Sequence, residues 1–133
     1  MKVYRFMSFR EFNLMEAGCD IVGKSHYKAR TNSSGVCFLP EVVEAYDYGY
    51  TFKPDKYIEF MSGVATTDVL VEFEADEKMF TEAYGVYAFP YGIWDDDMDV
   101  KEYNIPQYNR EYVKPTRYAM CGFSRIDWYT FNK

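Results

Sequence analysis

The sequence predicts one α+β domain spanning residues 1–133, with helices in the N-terminal half and a strand-rich C-terminal half. Three observations carry this. A short apolar strand near the N-terminus runs straight into a capped helix. Later in the chain, strand-like runs recur between turn signals. Across all 133 residues there is no internal repeat, linker composition or low-complexity segment, and one core is the rule at this length.

Val3 to Met7 is the opening strand. Ser8 stands three residues before Glu11, the spacing of a capping box. A helix is expected from Phe9 to Ala17, with Phe9, Phe12 and Met15 at helical spacing and Gly18 as its stop. Asp20 to Ser34 is polar and locally basic, carrying Lys24, His26, Lys28 and Arg30. Gly35 to Leu39 reads as a strand ended by Pro40, whereas Glu41 to Tyr50 is ambiguous. Pro54 opens a second expected helix that runs to about Ser62. Asp68 to Glu74 alternates, with Val69, Val71 and Phe73 on one side, which predicts a strand with one wet face. Strands follow at Tyr84–Phe89, Val100–Ile105, Tyr112–Met120 and Ile126–Phe131, with an acidic loop from Pro90 to Asp99.

Hydrophobic residues make up 48% of the chain and charged residues 27%, a composition that folds. The 14 tyrosines are the unusual feature, because a tyrosine suits a cleft wall or an interface as well as a core. A net charge of −6 argues against general nucleic-acid binding and against adhesion to anionic lipid, and leaves docking to a basic partner open. Cys19, Cys37 and Cys121 are odd in number and lack metal or redox spacing, so unpaired thiols are expected. The opening residues lack the apolar run of a signal peptide, and no stretch approaches the ~18 apolar residues of a membrane span. A cytoplasmic setting is the expectation.

Asp95, Asp97 and Asp99 have the 1-3-5 spacing of a calcium loop. Such a loop also needs Gly at its sixth position and Glu at its twelfth, where this chain has Val100 and Pro106. No metal is therefore expected. A lone histidine, His26, builds no zinc site, and there is no phosphate-binding glycine motif.

Three scattered elements remain. They are Tyr4-Arg5-Phe6 in the first strand, Thr31-Asn32-Ser33-Ser34 entering a strand, and Glu102 in a late strand. Their order resembles the ADP-ribosyltransferase superfamily. The resemblance implies NAD as substrate, with ADP-ribosyl transfer to a macromolecular target or NAD hydrolysis. It implies that Arg5 holds the cofactor, that Thr31 and Ser33 orient it, and that Tyr84, Tyr87 or Tyr91 stacks on nicotinamide. Glu102 would stabilise an oxocarbenium-like transition state. Members that modify arginine carry Gln or Glu two residues before that glutamate, where this chain has Val100. Glu72-Phe73-Glu74 does spell Glu-x-Glu, so Glu74 competes with Glu102 as the catalytic residue.

Two other classes stay open. One is a non-catalytic, acidic protein-binding inhibitor of the kind encoded by phages and mobile elements against host defence. The other keeps a cleft of this type to bind a nucleotide signal. Convergence of Arg5, Ser33 and one glutamate in a single cleft would separate the nucleotide readings from the protein-binding one.

Overall fold

The computed structural model describes residues 1–19, 29–31, 36–45, 50–54, 68–88, 97–105, 108, 110–121 and 127–131. The expected helix from Pro54 to Ser62 lies outside them apart from Pro54 itself, and so do His26, Ser33 and Asp95.

Among the described residues, ten strands form one sheet. β1 (Lys2–Met7) leads into α1 (Phe9–Glu16), and β2 (Ala29–Thr31), β3 (Val36–Pro40), β4 (Val43–Ala45) and β5 (Tyr50–Phe52) follow. β6 (Val69–Ala75), β7 (Thr81–Ala88), β8 (Asp97–Ile105), β9 (Val113–Met120) and β10 (Trp128–Thr130) complete the set. The main path runs β10-β9-β6-β1-β3-β8-β4-β5, and β7 pairs with both β8 and β2. All the pairings among the described residues are antiparallel.

The described residues are mostly strand: they hold one α-helix, and the N-terminal half itself contributes five strands, so the single domain is richer in sheet than expected. Local chemistry explains the helix. Ser8 is its N-cap, and the Ser8 Oγ accepts from the Glu11 N–H at 3.2 Å. Gly18, at φ 85°, takes the left-handed conformation that ends the helix. The Met15 carbonyl in the last turn accepts from the Gly18 N–H at 3.1 Å and also from the Arg110 guanidinium.

Four other expectations shift. The basic stretch before Ser34 contains β2, which pairs with β7. The ambiguous stretch after Pro40 becomes β4 and the start of β5, which pair with each other. β8 starts at Asp97, so Asp97 and Asp99 belong to a strand and not to a loop. β6 has no wet face over most of its length: Val69 to Phe73 are all buried, and Glu74 is the exposed residue. Its position between β1 and β9 places it inside the sheet, where strands read as near-continuous apolar runs.

One face of the central strands carries Val3, Met7, Val69, Val71, Phe73, Val36, Phe38 and Ile105, packed with Phe12 and Met15 of α1. Phe6, Leu39, Leu70 and Ala119 lie on the opposite face and are also buried. The sheet is thus covered on both sides along its centre.

Candidate functional site

Strand register decides whether the expected site assembles. In β1, Arg5 stands opposite Val71, and Tyr4 stands opposite Leu39 of β3. In β3, Phe38 stands opposite Tyr103 of β8. Successive side chains point to opposite faces of a strand, so Arg5, Phe38 and Tyr103 share the helix-covered face while Tyr4, Leu39 and Glu102 share the other. The Arg5 Cζ lies 5.9 Å from the centroid of the Phe38 ring, as this register requires. Glu74 stands opposite Lys2, two residues from Tyr4, and so also lies away from Arg5. Arg5 and both candidate glutamates are on opposite sides of the sheet. The single cleft that the sequence led us to expect does not form around them.

Arg5 is fully buried and committed to the helix. Its Nε and one terminal nitrogen lie 2.8 and 2.7 Å from Glu11 Oε1. This pair ties β1 to the first turn of α1, where an acidic side chain also complements the helix dipole. Glu102 is buried, whereas Glu74 is exposed and accepts from the Met1 ammonium at 2.9 Å. Thr31 ends β2 opposite Gly85, which in turn stands opposite Val100 of β8. Tyr84 stands opposite Lys101. Ser33 and Tyr91 lie outside the described residues.

The polar centre that the structure does assemble was not foreseen. Glu72, buried in β6, accepts from the Tyr4 hydroxyl at 2.9 Å and from Thr116 Oγ1 at 3.0 Å. Arg117 of β9 donates to Glu72 Oε2 through Nε at 2.9 Å and through a terminal nitrogen at 2.7 Å. Burial alone would push the Glu72 carboxyl up, but the hydrogen bonds from Arg117, Tyr4 and Thr116 outweigh it and hold the group below its ordinary value. Burial first, and then the adjacent Glu72 carboxylate, push the Tyr4 hydroxyl well above its usual range. The Arg117 guanidinium is held charged by Glu72.

Arg117 also leads to the surface. One-third exposed, it lies over the Trp128 ring with its Cζ 4.1 Å from the ring centroid, close enough for a cation–π contact. Trp128 belongs to β10, the last strand of the sheet. On the other face of β10, Tyr129 is 51% exposed and stacks on Tyr118 at 5.6 Å and 28°. Tyr118 packs in turn against Phe12 and Phe131, each at 5.0 Å. Both faces of the outermost strand therefore carry aromatic rings that are braced from beneath. A signal for this existed in the sequence: a carboxylate inside the apolar run Val69 to Phe73 demands a cation, and Trp128-Tyr129 is an adjacent aromatic pair.

Among the described residues no group of three or more His, Cys, Asp or Glu side chains is placed to hold a metal ion. No described helix is long and apolar enough to cross a membrane. Comparison with protein families, with curated proteins and with solved structures finds no match for this chain.

Proposed function

We propose that this protein is a non-catalytic binding module that docks a basic protein partner through the aromatic edge formed by β9 and β10. The observation that carries the reading is the braced pair at that edge, Arg117 over Trp128 on one face and Tyr129 on Tyr118 on the other. Trp, Tyr and Arg are the side chains that most often dominate binding energy at interfaces, and the two aromatic ones present large area at low entropic cost. The net charge of −6 favours encounter with a basic partner. The unpaired thiols of Cys19 and Cys121 suit a reducing, cytoplasmic setting.

The ADP-ribosyl-transfer reading needs a cation on the NAD diphosphate and a carboxylate at the ribose within one cleft. With Arg5 buried against Glu11 and lying across the sheet from Glu102 and Glu74, nothing described supplies that combination. The nucleotide-signal reading meets the same obstacle.

Two arms test the proposal. A panel of lysine-rich peptides should bind the full chain in a salt-sensitive way, with binding weakened at least about tenfold by Tyr129→Ala or Trp128→Ala at matched fold stability. In parallel, NAD should leave the melting temperature unchanged. A ligand at ~100 times its dissociation constant stabilises by about 2.7 kcal/mol, which a melt resolves at this size. A clear shift with NAD, or peptide binding indifferent to both aromatic residues, overturns the reading.

A further inference from the structure

We infer that Arg117, at the outer end of a polar row across the sheet, takes a carboxylate side chain of the protein partner. This rests on the protein-binding reading above and names what one point of that edge recognises. Register sets four polar side chains side by side on the face away from α1. Tyr4 stands opposite Glu72, Glu72 opposite Arg117, and Arg117 opposite Thr130. Burial falls along the row: Tyr4 and Glu72 are buried, Arg117 is one-third exposed, and Thr130 is exposed. The charge that this row brings to the surface is a cation.

Two contacts hold the guanidinium in one orientation. Its Nε and Nη2 both donate to Glu72 Oε2, and its Cζ lies 4.1 Å from the centroid of the Trp128 ring. With one edge and one face fixed, little side-chain freedom is left to lose on binding. A guanidinium carries its N–H donors in a rigid planar fork. Pairing through Nε and Nη2 therefore turns the end edge, with one N–H from each terminal nitrogen, away from Glu72. Two parallel N–H groups match the two oxygens of a carboxylate. Thr130 adds a hydroxyl on the same face. The Glu72 carboxylate also accepts from Tyr4 and Thr116, so its charge is shared among several donors and does not fall on Arg117 alone. A monoanion suits this point better than a phosphate, whose larger negative charge would crowd Glu72. The net charge of −6 acts on encounter at range, whereas Arg117 decides the contact. The partner that fits is basic overall and places one aspartate or glutamate here.

The experiment uses the full chain and capped lysine-rich peptides that differ only at one central position, which is glutamate, glutamine or phosphoserine. The glutamate peptide should bind at least about tenfold more tightly than its glutamine twin. That preference should fall to about threefold or less in Arg117→Lys, which keeps a charge beside Glu72 but loses the planar fork. The double variant Arg117→Gln, Glu72→Gln removes both charges together, so neither is left buried and unpaired, and it should show no preference. Thermal melts check that each variant folds. Equal binding of the glutamate and glutamine peptides by wild type overturns the inference, and the protein-binding reading stands if both peptides still depend on Tyr129. A preference that survives unchanged in the variants belongs to another cation and overturns it too. Phosphoserine binding about tenfold tighter than glutamate would make this a phosphate site and likewise overturn it. Failure of all three peptides to bind also overturns it, and the wider peptide panel then judges the parent reading.

Discussion

Glu72 sits inside the buried run Val69–Phe73 of β6, and its acidity has consequences that a titration can read. Because the folded carboxyl sits below its ordinary value, the stability it contributes is complete above the unfolded value, roughly 4.3, and is lost as pH falls through the folded value. Glu72→Gln should destabilise the protein by about 1–3 kcal/mol at pH 7, since it leaves the partly buried Arg117 without its counter-charge. The low end of that range reflects the one-third exposure of Arg117. Urea unfolding at stepped pH should show the gap between wild type and variant closing below about pH 4.5. A gap that stays constant to pH 3 would contradict the assignment. Cys121 makes a second residue-scale case. Burial first, and Asp68 second, push its thiol up to about 12, so it should resist iodoacetamide at pH 8 in the folded protein and react once unfolded. Cys19 is exposed and should label first. Native labelling of Cys121 at the rate of Cys19 would count against the described packing.

At the scale of elements, α1 was the most legible part of the chain, because its signals are local. Ser8, Glu11 and Gly18 specify start and stop through backbone geometry that needs no distant partner. The structure adds what spacing does not reveal: the Glu11 carboxylate is held by Arg5, six residues back on β1. Arg5→Met should cost about 3–5 kcal/mol by leaving a buried carboxylate without this cation. The double variant Arg5→Met, Glu11→Leu should be less destabilised than the sum of the two single changes. Strict additivity in urea melts would show that the pair is not coupled. Ser8→Ala should cost about 1 kcal/mol, and Gly18→Ala a similar amount, through lost capping and backbone strain respectively. The strands were harder to read. β6 alternates in sequence, yet it is buried on both faces because it lies between β1 and β9, and no local pattern carries the identity of neighbouring strands. β2, β4 and β5 are three residues each, below the length at which periodicity identifies a strand.

At the scale of the molecule, the order Arg5, Ser33, Glu102 along the chain contained no information about sides of the sheet. A shift of one residue in register sends a side chain to the opposite face, and this alone separates Arg5 from both glutamates. The tyrosine richness shows at the last strand as a stacked Tyr118–Tyr129 pair, beside the Arg117–Trp128 contact. On the proposed function, the protein works by binding at this edge and not by chemistry on NAD, and nicotinamide release by the full chain at saturating NAD distinguishes the two. Release should be no faster than the spontaneous background, in wild type and in Glu102→Gln and Glu74→Gln alike. Release well above background in wild type, abolished by either glutamine substitution in a protein that still folds, would contradict it.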